Sequence, residues 1–499
     1  MKQAVKKGIV VGLGVILQFA LTLLLYLFLI EKIWIVDVIY ALLSVIIVVG
    51  LIRNSKNYSY TLPWIIIVLL FPLVGTLLFI AIGQNRQSSK ILKSIVESEK
   101  SSKKYLKQDE NLRKEISANS RLRYISNFAG YPITKNNEVK YYPLGEKMFK
   151  DILRDLKKAE KFIFLEFFII SHGTMWDSIL EILKKKVREG VDVRVIYDDA
   201  GCIATLENKY YKKLESMGIK CIAFNKLNPI SGVIMNNRDH RKILIIDGCI
   251  AFSGGVNISD EYININSPYG HWKDTGTRIV GDAIWNYTVM FLTMWNSFKK
   301  NDSSFLKFKY DFKDAIKENG FVAPYGETPL DNEEIGKDIY LNIINQANKY
   351  LYLTTPYLII DSDVINALIL ASKRGVDVKV IIPGIPDKKI TYSLTESYIE
   401  ILHNGGVEIY KYTPGFVHAK VFVSDDHIAT VGTLNLDYRS LYLHFECGLY
   451  LEDVKCIKDI KKDLDDTISK SHRVTKKEAT PSLIKAIWQT ILRLFAPLF

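Results

Sequence analysis

Two segments of this 499-residue chain obey one rule. HRKILIIDGCIAFSGGVN and HAKVFVSDDHIATVGTLN both fit His-x-Lys-x4-Asp-x6-Gly-x2-Asn. The matched positions are His240, Lys242, Asp247, Gly254 and Asn257 in the first, and His418, Lys420, Asp425, Gly432 and Asn435 in the second, each pair 178 residues apart. With five fixed positions at about one in twenty each, two chance copies in one chain are expected on the order of once in 10⁸. Ahead of them, GVDVRVI and GVDVKVI repeat from Gly190 and Gly375. A unit that occurs twice folds twice in the same way, so the chain is constrained to two similar lobes.

Helical and strand patterns alternate through both copies. Residues 148–159, 176–189, 335–347 and 362–373 carry helical spacing, whereas FIFLEFFII, VDVRVIYDD, YLYLTTPYLI and VDVKVIIP read as buried strands. This order predicts an α/β fold: two pseudo-twofold-related lobes, each a mixed, largely parallel sheet flanked by helices.

Three apolar runs open the chain. Residues 8–30 are uncharged, 33–52 are interrupted only by Asp37, and 62–82 carry Pro63 and Trp64 at their start. The first exceeds the roughly 20 residues a bilayer-spanning helix needs. It is too long for a signal-peptide core and lacks an A-x-A-like cleavage site. Two or three transmembrane helices are predicted, placing the protein as multi-pass in a cell membrane. Lysines and arginines divide almost evenly between the two sides, so sidedness is not read from them. The net charge of +12 draws polyanions. Phosphate-backbone binding gives no reason for apolar runs, so the partner expected is a lipid bilayer and not nucleic acid. The tail, with Leu483, Ile484, Ile487, Trp488, Ile491, Leu492 and Phe495 at helical spacing beside Lys485 and Arg493, supports the same partner. The expected organisation is 1–83 transmembrane, 84–135 a basic helical stalk, 136–300 the first lobe, 301–334 a linker, 335–470 the second lobe and 471–499 an amphipathic tail. Homo-oligomerisation stays open.

The repeated polar residues suggest chemistry. His240 and Lys242 lie two apart on a strand and share a face, as do His418 and Lys420. If the lobes meet face to face, both pairs converge with Asn257 and Asn435 around one tetrahedral phosphate. One imidazole then attacks while the other protonates the leaving oxygen. An attacking imidazole needs an acceptor on its other nitrogen. Asp274 in HWKDTGTRIV and Glu446 in HFECGLYLE occupy equivalent places for this. Asp247 and Asp425 suit either a turn between strands or direct catalysis. Glu166, inside an apolar strand, needs a partner or faces the site. The five cysteines form no CxxC pair and no zinc-type spacing, so no metal is expected.

The paired HxKxxxxD and GxxN motifs resemble the phospholipase D superfamily. The stretches LPWIIIVLLFPLVGTLLFIAIGQ, SKRGVDVKVIIPG, TPGFVHAKVFVSDD and GTLNLDYRS are similar to its bacterial cardiolipin synthases. The resemblance runs from about residue 33 to the C-terminus. It implies that one phosphatidylglycerol gives its phosphatidyl group to a histidine and that the hydroxyl of a second yields cardiolipin, with no metal or nucleotide cofactor. His240 would be the nucleophile and His418 the general acid and then base, an assignment the symmetry leaves reversible. Lys242, Lys420, Asn257 and Asn435 would hold the phosphate. The sequence departs from the pattern at an additional apolar segment, at Thr433 where Ser is usual, and at His444 where Asn is common. A hydrolase using water, a transferase using another alcohol, and a non-catalytic lipid-binding scaffold are the competing readings.

Overall fold

The computed structural model describes residues 17–18, 20–22, 33–53, 58–79, 89–225, 237–299, 304–313, 316, 320–331 and 333–498. The chain divides into two compact units: Met1–Arg86 with Ile230–Asn236 and Ile491–Phe499, and Gln87–Pro229 with Asn237–Thr490.

In the larger unit the duplication becomes two sheets. The first contains β1 (Asn137–Tyr142), β2 (Phe162–Phe167), β3 (Asp192–Asp198), β4 (Lys220–Phe224), β5 (Lys242–Ile246), β6 (Ile250–Gly254) and β8 (Gly276–Gly281), in the order β1-β8-β6-β5-β2-β3-β4. Strand β7 (His271–Lys273) lies outside it. The second contains β9 (Phe321–Glu327), β10 (Tyr350–Thr354), β12 (Asp377–Pro383), β13 (Glu408–Tyr412), β15 (Val421–Ser424), β16 (Ile428–Gly432), β18 (Glu446–Glu452) and β19 (Ser471–Arg473). Its order, β9-β18-β16-β15-β10-β12-β13, repeats the first, with β19 added at the edge. Short pairs β11 (Leu358–Ile359) with β17 (Leu436–Asp437), and β14 (Gly415–Val417) with β7, complete the strands.

Gly190 and Gly375 end equivalent helices, Thr174–Arg188 and Ser362–Lys373, in the left-handed region at φ of 88° and 90°. A side chain is disfavoured at such a φ, which is why the repeat keeps glycine there. The two sheets meet where β6 and β8 pack against β16 and β18, so equivalent strands face each other. The helix Ile284–Phe298 has no exposed residue and lies in the shared core with Phe164, Ile243, Val423 and Leu449.

Three expectations change. The two large sheets are mixed but not largely parallel: within them only β2–β3–β4 and β10–β12–β13 run parallel, and their other pairings are antiparallel. The reason is local, because three-residue connections join β5 to β6 and β15 to β16, and a connection that short permits only an antiparallel hairpin. The second sheet also reaches beyond 335–470, taking β9 from the expected linker and β19 from the expected tail. Finally, 84–135 is no free stalk. The helix Ser89–Ser102 lies along Ile284–Phe298, with Ser94 Oγ donating to the Ser297 carbonyl (2.6 Å) and Ser98 Oγ to that of Thr293 (2.7 Å). Small serines one turn apart permit this close approach.

In the smaller unit the second apolar run forms the helix Ile33–Arg53, whose side chains are described from Val38. The third run is divided into Tyr58–Leu70 and Pro72–Leu78, because Phe71 leaves helical geometry ahead of a proline that has no amide hydrogen to donate. The first run lies almost wholly outside the described residues. Among the described residues no helix is long and apolar enough to cross a membrane.

Candidate active site

Each histidine is entered through a backbone pairing with the other copy. The His240 N–H donates to the Phe445 carbonyl (2.8 Å), one residue before Glu446, and the His418 N–H donates to the Lys273 carbonyl (2.8 Å), one residue before Asp274. β14 and β7 extend the second pairing in parallel register. The carboxylates are thereby exchanged. His240 Nδ1 lies 2.8 Å from Glu446 Oε2, and His418 Nδ1 lies 2.6 Å from Asp274 Oδ2. Both carboxylates are fully buried. A buried carboxylate on Nδ1 fixes the tautomer and leaves Nε2 for a reacting group.

Lys242 Nζ donates to the His240 carbonyl (2.6 Å), and Lys420 Nζ lies 2.9 Å from His418 Nδ1 while also donating to the His418 carbonyl. Both ammonium groups are buried. Burial pushes Lys242 down to about 8 and Lys420 down to about 7, and adjacent carboxylates only partly oppose it. Burial and neighbouring lysines also depress the histidines, His418 to about 4 and His240 well below its ordinary value. Burial disfavours the Asp274 anion, but the His418 ring, Lys420 and the Thr275 N–H outweigh it and hold its carboxyl below the usual range. Buried cations held below their ordinary pKa values are matched to an anion.

The remaining candidates divide. The asparagines are unlike each other: Asn257 accepts from the Ile169 N–H (3.1 Å) and donates to the Tyr262 hydroxyl (2.7 Å), whereas Asn435 Oδ1 is buried without a hydrogen-bond partner. Asp247 and Asp425 do not join the histidines. Asp247 lies at the far end of β5 from Lys242 and accepts from the N–H groups of Glu160, Lys161 and Phe162 at 2.7–2.8 Å. Asp425 does the same for Asn348, Lys349 and Tyr350 at 2.8–2.9 Å. Both pin the start of the neighbouring strand. Glu166 also stays away from the histidines, because strand alternation puts it on the face of Ile243 and Arg241, and it pairs with Arg241 at 2.6 Å.

The family model described as "Cardiolipin synthase, PLD-like domain" matches residues 152–271 and 340–468, and the one described as "Phospholipase_D-nuclease N-terminal" matches 38–84. The chain belongs to the cardiolipin synthase family. It is 34% identical over 466 residues to a cardiolipin synthase of Clostridium perfringens, covering 89% of this chain and 95% of the relative. It is 43% identical over 457 residues to an uncharacterized protein of Streptococcus mutans, covering 90% and 99%. The phosphatidylserine synthase of Haemophilus influenzae superposes with a TM-score of 0.58 at 15% identity, over 76% of this chain and 98% of that one, which shows a shared fold.

Two departures from the cardiolipin synthase pattern sit beside the pair. Thr433 donates its hydroxyl to Glu446 Oε2 and accepts from the Cys447 N–H (2.9 Å), so the hydroxyl it shares with serine is in use. Its equivalent in the first copy is Gly255, where an added Cβ would meet Asp274 Oδ1 at 2.1 Å. His444 is buried, 3.6 Å from Glu446, with its ring 5.7 Å from that of His240. Among the described residues, His240, His444 and Glu446 form one of two groups with enough donors for a metal, the other being His427, Glu452 and Asp453. In the first group Glu446 is already engaged by His240, and the adjacent lysines favour an anion. Sequence reasoning missed the aromatic walls, with Phe168 against His240 and Tyr262 and Trp272 against His418. Isolated aromatics carry no periodic signal by which they could have been found.

Proposed function

We propose that the chain makes cardiolipin by transphosphatidylation through a phosphohistidine. His240 Nε2 attacks the phosphorus of one phosphatidylglycerol, the P–O bond to its headgroup glycerol breaks, and His418, whose imidazolium form the bound phosphate anion favours, delivers a proton to the departing oxygen. A hydroxyl of a second phosphatidylglycerol then gives its proton to His418 and attacks phosphorus, releasing His240 and forming cardiolipin. Lys242 and Lys420 balance the phosphate charge. Glu446 and Asp274 hold the two rings. The observation that carries this reading is the reciprocal bonding of each histidine to the other copy's carboxylate, since it gives two oriented imidazoles flanked by two buried ammonium groups. The smaller unit, with 8–30 and 33–82 as two or three spanning helices, keeps the enzyme as a multi-pass protein in the membrane that holds both substrates.

The test is incubation of the full chain with phosphatidylglycerol alone in the presence of a chelator, following lipids and free glycerol. Cardiolipin and glycerol are expected together, with His240→Ala and His418→Ala each lowering turnover by at least about 10³-fold. Phosphatidic acid in place of cardiolipin would make the protein a hydrolase.

A further inference from the structure

The first turns of the helix Leu483–Leu494 are inverted relative to a helix that closes a core, and only beyond them does a large apolar residue, Leu492, turn inward. Its polar Gln489 faces the protein, 4% exposed, and donates to the Ser393 carbonyl (3.4 Å), while Lys485 pairs with Glu396 at 2.9 Å. Ser393 and Glu396 lie on the helix Lys389–Ser397, so the contact is polar on both sides. The apolar face points outward: Leu483 is 77% exposed, Ile484 83%, Ile487 56% and Trp488 49%. Four adjacent large apolar side chains in water oppose solubility and mark an interaction surface.

The same surface continues toward the histidines. Ile390, one turn from Ser393, is 54% exposed, and Ile385 is 40% exposed. Ile385 sits over Gly270, where an added Cβ would meet its Cδ1 at 3.2 Å, and its N–H lies 3.2 Å from the Gly415 carbonyl. Gly270 leads into β7 and then Asp274, and Gly415 opens β14, which leads into His418. Lys388 and Lys389, both exposed, lie between Ile385 and Ile390, and the charge of Lys388 is felt at His240. Apolar side chains interleaved with lysines fit one occupant, an anionic lipid surface.

We propose that Leu483, Ile484, Ile487 and Trp488, with Ile385 and Ile390, dock on an anionic bilayer and hold the mouth of the histidine site against the leaflet that carries its lipids. The docking face is independent of the number of spanning helices. Its consequence for turnover rests on the proposed function.

The test uses the full chain in vesicles of phosphatidylglycerol and phosphatidylcholine, with and without bromine on the acyl chains. Bromine is expected to quench wild-type tryptophan emission more than that of Trp488→Phe, the difference being the Trp488 contribution. Equal fractional quenching of the two would overturn the docking face, whatever the enzyme's activity. As a second arm, Ile484→Glu with Ile487→Glu is expected to lower turnover in vesicles by about tenfold, as loss of interfacial anchoring should. Turnover of a short-chain phosphatidylglycerol below its micelle concentration should stay unchanged. Equal loss on both substrates overturns the proposal, as does a disulfide between two copies of Ile487→Cys that forms in detergent and shields the position from lipid. Absence of turnover together with a positive Trp488 signal would instead overturn the assignment as a cardiolipin-forming enzyme and leave the docking face standing.

Discussion

Lys420 and Lys242 hold their protons weakly because burial disfavours the ammonium forms, at about 7 and about 8. A phosphate favours the ammonium forms and raises both values. Near pH 8 the binding of inorganic phosphate should therefore take up protons, and its affinity should fall as pH rises through 7 to 8. Calorimetry in buffers of different ionisation enthalpy reads this directly, and binding without uptake would contradict the depressed values. Asp247 makes a contrasting prediction. Its carboxylate satisfies three backbone N–H groups away from the histidines, so Asp247→Ala should cost about 3 kcal/mol of stability in urea unfolding. Turnover per folded molecule should change by less than about threefold, since no reacting group is touched. Thr433→Val, which loses the hydroxyl on Glu446, should lower kcat by about tenfold, with Thr433→Ser restoring it, as expected for a group that orients the carboxylate holding His240.

Among the elements, helix and strand positions in both lobes follow the sequence closely. Ser362–Lys373 is helical over the span its periodicity gives, and VDVRVIYDD supplies β3. The helix Ser89–Ser102 is different. Its basic, polar composition reads as a stalk, yet Ser94 and Ser98 bond carbonyls roughly two hundred residues away. Hydroxyls on a polar helix are indistinguishable from solvated ones until the partner helix is placed. Ser94→Phe with Ser98→Phe should displace this helix and speed tryptic cleavage at Lys100 to Lys104, read by gel against the uncleaved lobes. Cleavage at the wild-type rate would show that the packing tolerates the bulk.

Across the whole molecule the two lobes are interdependent, because neither histidine has a carboxylate from its own copy. Asp274→Asn and Glu446→Gln should each reduce turnover by about 10²–10⁴-fold, but at different steps. Glu446→Gln, which releases His240, should slow the first release of glycerol. Asp274→Asn, which releases His418, should also slow capture of the phosphoenzyme by the second lipid. Rapid-quench measurement of glycerol and cardiolipin separates the two, and identical effects on both phases would argue against distinct roles for the rings.

The sequence by itself determined the duplication, the two α/β lobes and the identity of the paired histidines and lysines, because the same polar residues recur 178 positions apart within the same alternation of helix and strand. It also marked Asp274 and Glu446 by their equivalent places. Only the tertiary structure decided that these carboxylates cross between copies, that Asp247 and Asp425 pin strands, and that Glu166 belongs to Arg241. Each of these depends on which backbone N–H or side chain lies opposite across a strand or lobe boundary. Such contacts join residues from 75 to more than 200 positions apart, and local spacing carries no information about them.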